Sequence, residues 1–132
     1  MSTQRIAVIP GDGIGVDVIE SARAVVDAVC AKHRITLEYQ EFDWSCQRYE
    51  REGAMMPADG LDTLRDFDAI LLGAVGWPGV PDHVSLWGLL IPIRRAFRQY
   101  VNLRPIKVFR GVQSPLRDAD DVDFVVVREG TE

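Results

Sequence analysis

A buried strand that runs into a glycine-rich turn and then a helix opens the chain and limits the folds open to it. Residues 5–10 form a continuous, mostly apolar run of strand-forming residues that ends at Pro10. Such a run is typical of a strand buried on both faces of a parallel sheet. The turn 11–15 follows, and from Val18 to Cys30 apolar residues recur at helical spacing. These patterns predict strand, turn and helix in that order.

Strand and helix patterns continue to alternate along the chain, which predicts an α/β sheet. Pro92 should confine the regular part of the last helix to the residues after it. A loop rich in glycine and proline, 73–81, follows a strand end, where open α/β sheets bind their ligands. The remaining predicted strands are 36–43, 68–72, 100–109 and 122–128, and the remaining predicted helices are 45–52, 58–66 and 86–99.

The charge of the chain is unevenly distributed. Of 132 residues, 15 are basic and 20 are acidic, but residues 83–117 contain seven basic residues and no Asp or Glu. The rest of the chain therefore has eight basic and 20 acidic residues, a balance of −12 that would repel an anion. We expect any anion-binding site in 83–117, and no nucleic-acid binding by the acidic chain. A solvated basic face or an interface with an acidic partner is the alternative.

Two further features narrow the class of protein. No apolar run approaches the roughly 20 residues of a membrane-spanning helix, and the N-terminus lacks the apolar segment of a secretory signal. We therefore expect a cytoplasmic protein that does not bind a membrane. Cys30 and Cys46 do not have the spacing of metal ligands, so we expect reduced, packed thiols.

The glycine turn differs from the turn that binds a dinucleotide in Rossmann folds. Residues 11–15 read G-x-G-x-G, which lacks the third glycine of G-x-G-x-x-G. Asp12 lies inside the turn, where its carboxylate would oppose a pyrophosphate. The turn therefore predicts no Rossmann phosphate cradle. The structural alternative is that Asp12 caps the following helix while the glycines only make a tight turn.

Three arginines lie on separate predicted elements. Arg94 lies in a helix, Arg104 lies where the chain leaves that helix for a strand, and Arg128 ends the next strand. Guanidinium groups that converge from separate elements can hold each carboxylate of a dicarboxylate bidentately. The alternative is three ordinary surface arginines.

Four motifs occur in an order that resembles a known family. Residues 8–15, 73–76, 102–105 and 127–129 resemble the motifs of the β-decarboxylating dehydrogenases, the family of isopropylmalate and isocitrate dehydrogenases. Residues 76–88 and 97–105 are most similar to its branch that acts on tartrate and D-malate. The resemblance covers essentially the whole chain, but only the N-terminal third of such an enzyme.

The resemblance implies a partial isopropylmalate-dehydrogenase-like α/β fold, with an incomplete sheet, flanking helices and no Rossmann fold. Residues 1–100 would form the N-terminal part of the first domain, on the cofactor side. Residues 101–132 would begin the second domain, which serves dimerisation and substrate binding. The full-length protein would be a homodimer.

The resemblance also implies a function: NAD-dependent oxidation of a small 2-hydroxy diacid, tartrate or D-malate, with decarboxylation where applicable. Its cofactors would be NAD, Mg²⁺ or Mn²⁺, and a monovalent cation. Arg94, Arg104 and Arg128 would bind the dicarboxylate. Ser85, in the variable segment 78–88, would contact the substituent on C3 of the substrate. His83 would make the same contact, and the alternative is that His83 is a loop residue with no role in binding. The cofactor would lie against Gly11, Asp12, Gly13, Ile14, Gly73, Ala74 and Val75.

The family's catalytic tyrosine and lysine and its metal-binding aspartates would lie beyond Glu132. We therefore expect no catalytic residue and no metal ligand within this chain, and no activity from it alone. Two other functions stay open. The chain could be a non-catalytic fragment or pseudoenzyme module that binds a dicarboxylate or a partner subunit, or a structural protein with a basic interface.

Overall fold

The computed structural model describes residues 3–117 and 121–130, and the chain divides into two compact units, Met1–Ile93 and Arg94–Glu132. The helix α5 (Ile91–Ala96) begins in the first unit and ends in the second. The second unit continues with β4 (Val101–Lys107) and β5 (Asp123–Glu129). The first unit contains, in chain order, β1 (Gln4–Gly11), α1 (Ile14–His33), β2 (Leu37–Glu41), α2 (Cys46–Glu52), α3 (Gly60–Leu64), β3 (Ala69–Ala74), α4 (Asp82–Ser85) and a π-helical turn (Leu86–Leu90).

The first unit is built on a three-stranded parallel sheet in the order β2-β1-β3. Ile6 of the central strand pairs with Tyr39 of β2 and with Ala69 of β3. Ala7, Val8 and Ile9 are successive residues that face opposite sides of the sheet, and all three are fully buried. The prediction of a strand buried on both faces is therefore confirmed, as is a partial α/β fold with a small sheet and flanking helices.

The second unit has an antiparallel sheet of two strands, β4 and β5. Both strands were predicted. The sequence did not show that they pair with each other, or that they form a sheet of their own and do not join the parallel sheet. Apolar side chains on both faces of this hairpin are exposed, among them Leu103, Val127 and Phe124. A cross-strand ion pair joins Lys107 to Asp123 at one end.

The predicted helix after the glycine turn is confirmed as α1, but its predicted apolar face is only partly buried. Ile19 is 4% exposed, whereas Val25 and Val29 are 64% and 49% exposed. The apolar residues of α1 form one wide arc, of which the part around Ile19 is buried and the part around Val25 and Val29 is exposed. In the described part of the chain, no helix has both the length and the apolar character needed to cross a membrane.

The helix predicted at 86–99 differs from the prediction at both ends. It begins at Asp82 and ends at Ala96, and its middle turn, Leu86–Leu90, is π-helical. Pro92 has no N–H group, so the carbonyl of Gly88, four residues earlier, has no α-helical donor. The wider π turn precedes this break, and regular α-helix resumes at Ile91. Regular α-helix after Pro92 was predicted, whereas the π-helical form of the turn before it and the α-helical residues Asp82–Ser85 were not.

Two glycines let α1 pack closely against β1 and β3. A Cβ atom on Gly15 would overlap the carbonyl oxygen of Pro10, and a Cβ atom on Gly73 would overlap the same oxygen. The Cβ of Gly73 would also lie 3.0 Å from the carbonyl oxygen of Gly15. The backbones of all three segments therefore meet at a place where only hydrogen fits as a side chain.

We expect Gly73→Ala to lower the free energy of unfolding by about 3 kcal/mol, because the new methyl group would press on backbone oxygens that the sheet holds in place. Urea denaturation measures this loss. Gly53→Ala is the control, since a Cβ there meets nothing within 4 Å and only its φ of 75° is unfavourable. That variant should lose only about 1 kcal/mol. Equal losses for the two variants would contradict the close approach.

Candidate functional site

The turn after β1 and the loop after β3 meet at the carboxyl ends of these two parallel strands. Gly11 pairs with Ala74 at the end of the ladder, and the N–H of Asp12 donates a hydrogen bond of 2.8 Å to the carbonyl of Ala74. Gly11 and Gly13 have positive φ angles, 78° and 51°, which a tight strand-to-helix turn requires. The structure thus brings together the two predicted cofactor segments, 11–15 and 73–76.

The outer side of this junction consists largely of bare backbone. Gly13, Ile14 and Ala74 are exposed, and Val75 is half-buried. An added Cβ on Gly13 or on Gly76 would meet no atom within 4 Å. A ligand can therefore approach the backbone here, next to the N-terminal, positive end of the α1 helix dipole.

The Asp12 side chain is buried, with only 3% of the residue exposed, and it bonds to backbone groups from two other segments. Its Oδ2 atom accepts hydrogen bonds from the N–H of Cys46 at 3.0 Å and from the N–H of Gly76 at 3.2 Å. Its Oδ1 atom accepts one from the N–H of Gln47 at 3.2 Å. One carboxylate therefore links the turn after β1, the start of α2 and the loop after β3.

The expectation that Asp12 caps the helix that follows it is wrong. No side chain caps α1 among the described residues, and Gly13 takes the N-cap position. Asp12 instead satisfies the first two N–H groups of α2, while Ser45 Oγ, the N-cap of α2, accepts from the N–H of Arg48 at 3.1 Å. These N–H groups would otherwise lack partners within the helix. The carboxylate turns inward to them and away from the exposed backbone.

Cys46 is fully buried next to Asp12. Burial, together with the hydrogen bond to Asp12 and the negative charge of Asp12, raises the pKa of the Cys46 thiol from 9.0 to about 11. The thiol therefore stays protonated and unreactive near neutral pH. Both cysteines are unpaired thiols, as predicted.

Two of the three predicted substrate arginines lie on the same face of the hairpin. Arg104 pairs with Val126, and Arg128 pairs with Asn102. Arg104 and Arg128 are therefore diagonal neighbours, which places their Cβ atoms roughly 7 Å apart. Both are exposed. Within residues 3–117 and 121–130, no carboxylate lies within ion-pair distance of either guanidinium group.

The other two predicted substrate residues lie elsewhere. Arg94 is half-buried on α5, in the same unit as Arg104 and Arg128, and its carbonyl accepts from the N–H of Gln99 at 2.8 Å. Ser85 is in the first unit, 6% exposed, and its hydroxyl donates to the carbonyl of Asp82 at 3.0 Å. That hydroxyl keeps a lone pair with which it can accept a hydrogen bond.

No group of three or more His, Cys, Asp or Glu side chains could hold a metal ion in the part of the chain that the structure describes. The described residues thus do not by themselves form a divalent metal site. Asp12, the buried carboxylate at the junction, is fully engaged by backbone donors.

The family model of the isocitrate and isopropylmalate dehydrogenases matches residues 5–132. The chain belongs to this family.

Named relatives agree with the family assignment and with the predicted branch. The chain is 52% identical to the tartrate dehydrogenase/decarboxylase of Pseudomonas putida, over 97% of this chain and 36% of that protein. It is 51% identical to the decarboxylating D-malate dehydrogenase of Escherichia coli K12, over 100% of this chain and 38% of that protein. The resemblance predicted from the four motifs is confirmed, and the chain spans little more than a third of these relatives.

Solved structures of the family share its fold. The isocitrate dehydrogenase of Methylococcus capsulatus aligns with 98% of this chain and 35% of its own, at 28% identity and a TM-score of 0.78. A β-decarboxylating dehydrogenase of Thermococcus kodakarensis aligns with 98% of this chain and 34% of its own, at 32% identity and a TM-score of 0.70. The predicted isopropylmalate-dehydrogenase-like fold is therefore confirmed for the described residues.

The sequence did not predict that α2 contacts the glycine turn 11–15. Cys46 and Gln47 donate to Asp12, yet nothing in their spacing from the turn indicates this contact. One signal was available: a carboxylate buried inside a glycine turn needs donors, and the start of a nearby helix supplies them. Asn102, opposite Arg128, was also missed as a neighbour of the arginines.

The raised pKa of Cys46 predicts how stability changes at alkaline pH. Above about pH 9 the unfolded chain releases the thiol proton of Cys46, whereas the folded protein keeps it. The contribution of the protonated thiol to the free energy of unfolding is therefore present below pH 9 and is lost as the pH rises through about 11. We expect Cys46→Ala to reduce the fall of the urea midpoint between pH 9 and pH 11. Gly53→Ala, the control, removes no titrating group and should show the same fall as the wild type, and an unchanged fall in Cys46→Ala would contradict the pKa shift.

Proposed function

We propose that the full-length protein is an NAD-dependent dehydrogenase that oxidises a small 2-hydroxy diacid, tartrate or D-malate, with decarboxylation where the product permits it. The observation that carries this proposal is the pair Arg104 and Arg128, side by side on one face of the hairpin and without a carboxylate partner among the described residues. The two relatives that are named for tartrate and D-malate support this choice of substrate.

The arginine pair has the chemistry that a dicarboxylate requires. Each guanidinium group presents parallel N–H donors that match one carboxylate, so two such groups can bind a substrate with two acid groups in a defined orientation. The amide of Asn102 lies directly opposite Arg128 and adds a neutral hydrogen-bonding group. In our proposal Arg94, in the same unit, supplies a third guanidinium group. The absence of acidic residues from 83 to 117 favours binding of the anion.

In this proposal the junction of the two glycine segments receives the cofactor. Gly13 and Gly76 leave space above the backbone, and Ile14, Ala74 and Val75 offer apolar groups beside it. NAD, when bound, supplies the acceptor for the hydride that leaves C2 of the substrate. The hydroxyl on C2 loses its proton, a ketone forms, and a carboxylate β to that ketone can leave as CO₂. The residues of this chain bind and orient, and we assign none of them as the base.

Ser85 contributes to substrate choice in this proposal. Its hydroxyl already donates to Asp82, so it would accept a hydrogen bond from a hydroxyl on C3 of the substrate. An apolar C3 group, such as the isopropyl group of isopropylmalate, would leave that acceptor without a donor. His83, on the same α4, is the second residue we propose for this contact.

The family resemblance extends the proposal to Mg²⁺ or Mn²⁺, a monovalent cation, a homodimer and a cytoplasmic location. No set of metal ligands is present among the described residues. Addition of EDTA followed by Mn²⁺ tests the metal requirement in the same assay as the substrates.

The experiment that tests the function uses the full-length gene product with NAD, Mn²⁺ and one acid at a time. We expect NADH absorbance to rise with tartrate or D-malate faster than with isopropylmalate or isocitrate, and CO₂ release to accompany the oxidation of D-malate. Binding of D-malate by calorimetry without any NADH would contradict the enzyme and favour a non-catalytic module. The absence of dicarboxylate binding would contradict both and favour a basic interface.

We expect Arg104→Lys to lower kcat/KM for the diacid by roughly 10- to 100-fold, because a point charge replaces a bidentate fork and one charged hydrogen bond is lost. Steady-state kinetics measure the change. Arg117→Lys is the matched control, since Arg117 is an exposed arginine of the same unit outside β4 and β5, and it should keep kcat/KM within about twofold. Equal effects of the two variants would contradict the clamp.

A further inference from the structure

The exposed loop after β3 depends on a group from another segment for its conformation. Gly76 is exposed and has a φ of 154°, which side-chain-bearing residues rarely adopt. Its N–H donates to Asp12 Oδ2 at 3.2 Å, and the carbonyl of Ala74 accepts from the N–H of Asp12 at 2.8 Å. Asp12 therefore holds this loop at two points, once through its backbone and once through its side chain.

The Asp12 carboxylate has little capacity left for a ligand. An ionised carboxylate offers about four lone-pair positions, and backbone donors occupy three of them here. Only 3% of the residue is exposed, and the Cys46 thiol, itself fully buried, lies beside it. A cofactor on the exposed backbone would meet the loop, and not this carboxylate.

We propose that Asp12 is a positioning residue, whose carboxylate holds the N–H of Gly76 and the first turn of α2 so that the loop 73–76 presents a single conformation to the cofactor. The role toward the cofactor depends on the proposed function, whereas the link between Asp12 and Gly76 does not. The proposal replaces a direct contact between Asp12 and NAD with an indirect effect through the backbone.

Three variants of the full-length enzyme test the proposal through kinetics. Asp12→Asn keeps the shape but weakens the link, because a single neutral amide oxygen must serve the three N–H donors that the two oxygens of a charged carboxylate hold in Asp12. We expect it to raise the KM for NAD about tenfold or more, with a smaller change in kcat at saturating NAD. Asp12→Glu keeps the charge and should restore part of the loss. A variant that only unfolds more easily would lower the apparent kcat and leave KM unchanged.

Ser45→Ala is the matched control for stability. It removes the other cap of α2 but leaves the hydrogen bond between Asp12 and Gly76 in place. We expect a lower melting temperature and a KM for NAD within about twofold of the wild type. A rise in KM equal to that of Asp12→Asn would overturn the proposal, because damage to α2 alone would then explain the effect.

Amide hydrogen exchange tests the same link without any assay of activity. In the wild type without NAD, the N–H of Gly76 should exchange as slowly as those of Cys46 and Gln47. It should exchange at least tenfold more slowly than the N–H of exposed Gly79, because a hydrogen bond to a charged acceptor protects an amide by about this factor. Exchange as fast as at Gly79 would overturn the proposal even if Asp12→Asn cannot be produced as a folded protein.

The two readouts separate this inference from the proposed function. Slow exchange at Gly76 with no dehydrogenase activity would contradict the function but support the link. In Asp12→Asn, a raised KM for NAD with unchanged exchange at Gly76 would support direct contact between Asp12 and the cofactor, and would overturn the positioning role.

Discussion

The geometry at the carboxyl ends of β1 and β3 depends on a buried negative charge, the carboxylate of Asp12. Burial of a carboxylate is unfavourable unless protein donors replace its hydration. Asp12 obtains these donors from the backbone of Cys46, Gln47 and Gly76, which lie far apart in sequence. The burial of the charge is compensated only when all three segments are in place, so a single side chain makes their folding interdependent.

The parts of the fold that depend on local pattern could be predicted from the sequence. The continuous apolar run of β1 indicated burial on both faces, and the strand after Asp68 was placed correctly. The buried part of α1 was predicted less well, since helical spacing gave one wide apolar arc and does not show which part of that arc is buried. The π turn before Pro92 could not be predicted, because an absent N–H indicates a break in the helix but not how the backbone accommodates it.

The candidate site was predictable only in part, for reasons of geometry. The motifs identified both glycine segments, and parallel pairing of β1 with β3 brought them together. The hydrogen bond from Cys46 to Asp12 could not be predicted, because a contact between residues 34 positions apart leaves no periodic signal in the sequence. For the arginines, alternation along each strand does not give the register between β4 and β5, and a one-residue shift would place Arg104 and Arg128 on opposite faces.

The π-helical turn at Leu86–Leu90 also bears on how a family like this one can diversify. A π turn holds one residue more than the α-helical turn it replaces, so loss of a single residue there would restore a regular helix. Because either turn completes one circuit of the helix axis, such a deletion would leave the side chains of Asp82–Ser85 facing nearly the same directions as before. The helix can thereby gain or lose one residue at this turn while α4 before it and the helix after Pro92 keep their orientation.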